Sequence, residues 1–317
     1  MRNSTIPTHT LNFPEQLECF EFCNSDFACN LVALASHKKI ILGLINLPEE
    51  SGCFDWKRLK DLYHESRCVS LCFAQETSMA VVPKSVIFCA AGSDFRLRIF
   101  RTDLQNSDTV QILNGHSNYI NEVIWDCNGE FLASVGDDNT CRIWDTKSNF
   151  ENTITFHLQS AGMSVKCHPE EPRKVVVAEK RGVIHLYNIQ SQAAIISVEA
   201  QKSPLKSVDW CPLNRMCITA LVAGDIISWD LRRPTPIDIK QVHEDGGQIV
   251  RIAPNAETVV ASVGRPDVAV KVFTAKSRIP LVDATLKLYG GLSWHHRLPY
   301  IGVATDRKLC LWKLQIK

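Results

Sequence analysis

What most constrains this chain is a repeat. Between Leu113 and Asp145 lies one unit with both ends marked, LNGHSNYINEVIWDCNGEFLASVGDDNTCRIWD. Gly115-His116 opens it and Trp144-Asp145 closes it. Between them stand Ile120 to Trp125 and Phe131 to Val135, two runs with alternating apolar residues, then a turn at Asp137-Asp138-Asn139 and a third run, Cys141 to Trp144. Alternation over short runs bounded by turn residues predicts three strands joined by tight turns. The closing pattern of apolar, any residue, apolar, aromatic recurs: Phe100, Trp144, Tyr187, Trp229, Phe273 and Trp312 end such strands at gaps of 44, 43, 42, 44 and 39 residues. A second ladder on the preceding strands, Trp125, Cys167, Trp210, Ile252 and Trp294, has gaps of 42, 43, 42 and 42. Two ladders sharing one period are not chance.

A repeat of this length with a Gly-His opening and a Trp-Asp close is the WD40 signature, each repeat forming one four-stranded propeller blade. Two weaker units come first. One runs from Val69 to Phe100; the other has strands at Leu17 to Cys23, Asn30 to Ala35 and Ile40 to Ile45, with Trp56 to Leu62 as its outer strand. First strands thus fall near Phe22, Phe73, Trp125, Cys167, Trp210, Ile252 and Trp294, which predicts an all-β, seven-bladed WD40 β-propeller. The expected division of the single domain 1–317 is a closing strand at 1–13 and blades at 14–65, 66–111, 112–156, 157–199, 200–242, 243–284 and 285–317. The last unit reaches Lys317 after its third strand, so an unpaired edge would remain. Ile6 to Phe13 is the expected donor, pairing beside Lys308 to Leu314.

Composition narrows the function classes. With 45% hydrophobic and 22% charged residues the chain can build a large core. Its 35 basic residues are matched by 34 acidic ones, so no broad positive field exists for direct nucleic-acid binding or for an anionic membrane. The start, MRNSTIPTHTLNF, has neither an apolar core nor an Arg-rich amphipathic pattern, and no apolar run is long enough to insert into a membrane. The expectation is a protein made and kept in the cytosol or nucleus, whose thirteen cysteines are reduced thiols.

Residues of chemical type read as structural. His116, Ser134, Asp138 and Trp144 contain a serine, a histidine and an aspartate, the types of a hydrolase triad, but their positions match the WD40 hydrogen-bond tetrad. A buried indole and imidazole need partners, and a closed network supplies them. Other blades keep fragments: His64 and His243 stand where His116 does, and Asp94, Asp267 and Asp306 stand where Asp138 does. Arg181 and Ala223 replace that aspartate in blades four and five, which must hold their turns differently. No catalytic residue and no cofactor is expected. Phosphate-loop, dinucleotide and nucleophile-elbow signatures are all absent. Metal is not expected either: Cys19/Cys23 and Cys68/Cys72 would lie about 13 Å apart on extended strands, too far for one zinc ion.

A propeller without reactive groups offers surface. Two insertions, Asn46 to Asp55 and Gln75 to Lys84, and the irregular link Arg232 to Pro236 lengthen connections of the kind that carry contacts. Asn46, Trp56, Arg58 and Arg232 are the candidate partner-contacting residues. Lys57-Arg58-Leu59-Lys60 and the trio Arg96, Arg98, Arg101 are the local basic patches; alternation predicts that Arg96 and Arg98 lie on a solvated strand face.

Several stretches carry a resemblance: RLRIFRTDLQ from Arg96, DDNTCRIWD from Asp137, AGMSVKCHPEE from Ala161, VAEKRGVIHLYN from Val177 and GLSWHHRLP from Gly291. The chain from blade two onward resembles the small WD40 nucleoporins of the Y-shaped outer-ring complex of the nuclear pore, and the third and fourth stretches carry the identification. The N-terminal 60 residues resemble that family only loosely. The resemblance implies a non-enzymatic scaffold, a monomer within a hetero-oligomeric complex, that docks on the large arm nucleoporin built from a propeller and a solenoid, beside the other outer-ring nucleoporins. It also implies location at the nuclear envelope and, in animals, mitotic association with kinetochores. The rival reading is a substrate receptor of a cullin-RING ubiquitin ligase, for which Asp225 to Arg232 supplies a D-x-x-x-W-D-x-R box ending Trp229-Asp230-Leu231-Arg232.

Overall fold

The computed structural model describes residues 5–49, 53–106, 108–274, 277 and 279–315. The ends of the chain (1–4 and 316–317) and the tip of the first insertion (50–52) therefore lie outside the described residues. Among those described, the protein is all-β: seven four-stranded antiparallel sheets, the blades of a WD40 β-propeller.

Sheets one to six are meanders, in which each strand pairs with the next in the chain. Sheet one is Leu17–Phe22, Leu31–Ser36, Lys39–Asn46 and Asp55–Tyr63; sheet two is Cys68–Phe73, Val86–Gly92, Leu97–Thr102 and Asp108–Leu113. Sheet three is Ile120–Trp125, Phe131–Gly136, Thr140–Asp145 and Glu151–His157, and sheet four is Gly162–Cys167, Lys174–Glu179, Val183–Asn188 and Ala193–Glu199. Sheet five is Leu205–Trp210, Cys217–Val222, Asp225–Asp230 and Pro236–Gln241; sheet six is Gly247–Ile252, Val259–Gly264, Ala269–Thr274 and Val282–Thr285. Sheet seven takes Leu292–Trp294, Tyr300–Thr305 and Lys308–Lys313 from the end of the chain and its fourth strand, His9–Asn12, from the beginning. There His9 faces Leu311 and Asn12 faces Lys308, so the N-terminal strand completes the last blade and covers its open edge.

Burial grades across each sheet. The second strand of sheet three, Phe131–Gly136, is buried at every residue, and it packs against the first strand of sheet four. Fourth strands such as Ala193–Glu199 are largely exposed. In sheets one to six the first strand shifts register near its start, for example between Ile120 and Glu122 and between Gly162 and Ser164. A bulge of this kind re-aims the side chain that follows it, and in sheets three, four and five that side chain is Glu122, Ser164 or Ser207.

The described residues form two compact units. One is His116–Leu286, with sheets three to six; the other combines Ile6–Gly115 with Lys287–Lys317, holding sheets seven, one and two. Inside each unit, successive sheets pack through apolar side chains. In the first, Trp229 sits among Val208, Ile218 and Leu231; in the second, Phe20 and Phe22 pack with Tyr300 and Leu311.

Both insertions are anchored in the second unit. The carbonyl of Pro48 accepts from Tyr300 Oη at 2.9 Å and Lys313 Nζ at 3.1 Å, and Phe54 stacks on His9 with ring centres 4.3 Å apart. The stem of the first insertion thereby lies against sheet seven and its N-terminal strand. In the second insertion, Thr77 Oγ1 donates to the Ile87 carbonyl at 2.8 Å and Ser78 bridges to Ser85.

Candidate interaction surfaces and the polar networks beneath them

Sheet three holds a complete four-residue network. Trp144 Nε1 donates to Ser134 Oγ at 2.9 Å, Ser134 Oγ lies 2.7 Å from His116 Nε2, and His116 Nδ1 lies 2.9 Å from Asp138 Oδ2. An indole can only donate, so one consistent chain of donors follows: Trp144 to Ser134, Ser134 to the bare Nε2 of His116, and the Nδ1 proton of His116 to Asp138. Burial pushes the His116 pKa down despite the aspartate beside it, which keeps the ring neutral. Ser134 is 0% exposed and its hydroxyl is committed on both sides, so the geometry is that of packing; no substrate reaches it.

The other sheets keep parts of this network. The position two residues beyond the partner of the closing aromatic is Ser134 in sheet three, Ser262 in sheet six, Ala90 in sheet two, Ala220 in sheet five and Val303 in sheet seven. In sheet six His243 Nε2 meets Ser262 Oγ at 2.9 Å, but Phe273 brings no indole and His243 Nδ1 has no partner. Gly264 is required there, since a Cβ would lie 2.3 Å from the His243 ring. Sheets five and seven keep Trp229 and Trp312 without the hydroxyl, and both indole nitrogens are buried without a partner.

Sheet two corrects one expectation. Arg98 is not on a solvated face: it is 2% exposed, while Arg96 lies outside the strand and is exposed. The Arg98 guanidinium donates to Asp94 Oδ1 at 3.0 Å and Oδ2 at 2.6 Å, and to Glu65 Oε2 at 3.0 Å. Alternation misleads here because a third strand is covered on both sides, so the face opposite Leu97 and Ile99 is interior too. Burial raises the Asp94 pKa, but Arg98 and Ser66 more than offset it and bring it down to about 2.

In sheet four Glu179 does the work of the missing turn aspartate. It is 1% exposed; its Oε2 accepts from the N–H groups of Gln159 and Ser160 at 3.2 and 2.9 Å and from Arg181 Nε at 3.1 Å. Its Oε1 lies 2.9 Å from His185 Nε2, and His185 Nδ1 lies 2.7 Å from Ser197 Oγ. These are again the residue types of a triad, but Ser197 stands on the outward side of a fourth strand as the direct cross-strand partner of His185. That is the geometry of a cross-strand polar pair.

A second network was not anticipated. On the first strands of sheets three to six, Glu122 Oε1 receives Lys166 Nζ at 2.7 Å and Arg251 Nη2 at 2.6 Å, while its Oε2 receives Ser164 Oγ at 2.5 Å and the Val165 N–H at 2.9 Å. Asp209 accepts the Ile252 N–H at 2.7 Å. Burial raises the Glu122 pKa, but the two cations outweigh it and bring it down to about 2. Burial dominates at Asp209, whose pKa is raised. Glu122 thus joins three sheets through one carboxylate. The signal was available: Lys166, Asp209 and Arg251 each stand one residue before the regular ladder of Cys167, Trp210 and Ile252.

The candidate contact residues are dispersed. Asn46 ends the third strand of sheet one, exposed and opposite Asp55. Trp56 is a packing residue: its ring fills the space over Gly43, where a Cβ would lie 2.1 Å away, and meets Phe13 edge-on at 5.8 Å. Arg58 forks onto Asp61, with Nε 2.7 Å from Oδ1. Arg232, in the other unit, forks onto Asp230 with Nε at 2.9 Å and Nη2 at 2.6 Å, its side chain 69% exposed. All thirteen cysteines are free thiols, and among the described residues no group of three or more His, Cys, Asp or Glu side chains is placed to hold a metal ion.

Comparison with known proteins places this architecture. The family described as WD domain, G-beta repeat, matches residues 107–145, a span that contains the complete repeat. Over full length the chain is similar to the protein named nucleoporin Nup37 in three animals. It is 51% identical to that of Drosophila melanogaster, with 100% of both chains covered. It is 34% identical to that of Mus musculus and 32% to that of Homo sapiens, each over 99% of this chain and 98% of the relative.

Proposed function

The chain belongs to the nucleoporin Nup37 family, and from that premise we propose that it serves as a non-enzymatic scaffold subunit of the outer ring of the nuclear pore. In this reading it docks on the large propeller-and-solenoid arm nucleoporin, contributes to pore assembly at the nuclear envelope and, in animals, joins kinetochores in mitosis. The observation that carries it is the full-length match to proteins named as nucleoporins, from the N-terminal strand to the last blade. The buried networks support it: Ser134 and His116, the residues most suggestive of catalysis, are consumed in packing, which leaves rigid surface as what the molecule offers.

The test is affinity purification of the tagged full-length chain from nuclei. Outer-ring nucleoporins are expected in stoichiometric amounts, both with the natural chain and with Arg232→Ala, since Arg232 is occupied by Asp230. Recovery of a cullin-RING adaptor in their place, lost in Arg232→Ala, would overturn the scaffold reading in favour of the ligase receptor.

A further inference from the structure

The near balance of 35 basic and 34 acidic residues holds for the chain as a whole, but not for each end of the second unit. In an antiparallel meander the connection into the first strand and the turn between the second and third strands lie at the same end. At that end of sheets seven, one and two stand Lys287, Arg307, Lys308, Lys38, Arg67 and Arg96, all exposed. Among the described residues none of these six forms an ion pair. The acids of the same end are mostly occupied. Glu15 accepts from Ser36 Oγ at 3.0 Å and Lys39 Nζ at 2.5 Å, Glu18 accepts the Cys68 N–H at 3.1 Å, and Glu65 and Asp94 are held by Arg98. Asp306 is the remaining acid. With Lys39 and Arg98 included, eight cations stand there against these five carboxylates. The opposite end reverses the sign, with Asp26, Glu49, Glu76 and Asp103 in its connections beside Lys84 and Arg297.

The positive turns are tied to one another through the backbone. The Arg307 and Asp306 carbonyls accept the N–H groups of Phe13 and Leu17 at 2.8 and 2.6 Å, the Lys38 carbonyl accepts that of His64 at 3.0 Å, and the Arg67 carbonyl that of Ser93 at 2.8 Å. The Leu288 N–H donates to Thr305 Oγ1 at 3.4 Å, which sets Lys287 beside the Arg307 turn. Each bond joins a turn to the segment entering the next strand, so the cations form one row across three packed sheets, held at a common level.

We propose that this end of the second unit is a contact surface for a lipid leaflet rich in anionic headgroups. The inference does not depend on which complex the chain joins. The cations are spread over the tips of separate turns and do not converge on one point, so they match a plane of negative charge better than a single bound anion. A partner protein would have to hold a fixed carboxylate opposite each tip, whereas headgroups diffuse within their leaflet and gather beneath the cations. Each Lys or Arg brought to an anionic leaflet strengthens binding roughly fivefold, so a row of six is enough for reversible adsorption without any inserted segment.

The experiment sediments the full-length chain with vesicles of phosphatidylserine and phosphatidylcholine in equal parts, and with vesicles of phosphatidylcholine alone. Binding to the mixed vesicles is expected to be at least about tenfold stronger at low salt and to weaken steadily as salt is added. The triple variant Lys38→Glu, Arg67→Glu, Arg307→Glu is expected to lose that preference while its melting temperature stays close to that of the natural chain, because all three side chains are exposed. Lys84→Glu, at the opposite end, is expected to bind as the natural chain does. Equal binding to the two kinds of vesicle, binding that survives the triple charge reversal, or an equal loss in Lys84→Glu would each overturn the proposal. So would binding of poly-glutamate or duplex DNA through the same three residues at least as tight as that of the mixed vesicles at equal anion concentration, since the surface would then belong to an acidic protein or a nucleic acid.

Discussion

In the third sheet the turn after the second strand is tied down by an indole, a hydroxyl, an imidazole and a carboxylate in series. In the second sheet the same turn is tied down by a guanidinium that reaches Asp94 and Glu65 and by the Ser66 hydroxyl, which donates to Asp94 Oδ1 at 2.9 Å. Both solutions anchor an aspartate six residues before the closing aromatic to the segment that precedes the first strand. They differ in what they demand of the neighbours. The series needs a hydroxyl at Ser134 and a tryptophan at Trp144, whereas Arg98 tolerates Ala90 and Phe100 in those places. A degenerate repeat is therefore not an unanchored one: a long cation helped by one serine hydroxyl can replace three neutral partners, provided the cation is buried with its charge paired.

The comparison breaks hardest at Trp144. Trp144→Ala removes a large buried side chain and the donor to Ser134 Oγ, and a loss of about 3–5 kcal/mol is expected. Urea unfolding monitored by circular dichroism would measure it, and a loss below about 1 kcal/mol would show that the series is dispensable.

Arg98→Met comes next. It keeps much of the volume but removes the charged hydrogen bonds, with an expected cost of about 1.5–3 kcal/mol. It also changes the acid limb of the stability profile. Asp94 has a folded pKa of about 2 against an ordinary 3.8, so its stabilising contribution is present above pH 3.8 and lost as the pH falls through about 2. In Arg98→Met only the Ser66 hydroxyl still favours the Asp94 carboxylate, so that contribution shrinks and stability between pH 4 and pH 2 should fall less steeply than in the natural chain.

The smallest effect sharpens the contrast. His64 Nδ1 faces the Ser66 carbonyl and its Nε2 is buried without a partner, because Ala90 stands where sheet three has Ser134. Ala90→Ser supplies the missing donor and should stabilise by about 0.5–1.5 kcal/mol. The same substitution combined with Arg98→Met would report whether a partial series can take over from the guanidinium; no recovery would show that the two anchors are not interchangeable.

The period, the class and the sheet strands were legible in the sequence because they rest on local alternation and on an interval of about 42 residues that recurs from the third repeat onward, where no insertion lengthens the unit. The candidate network at His116, Ser134, Asp138 and Trp144 was legible for the same reason, since all four positions lie within one repeat. What stayed hidden involves partners from different repeats or from covered faces. Arg98 reads as a surface residue until the strand is seen to be enclosed on both sides. Glu122 reads as a lone acid until sheets four and six bring Lys166 and Arg251 to it, the latter from 129 residues away. Trp56 reads as a loop contact until its ring is found over Gly43. Local pattern fixes which residues form strands; only the packing of one sheet on the next decides which polar side chains lose their water and must find one another.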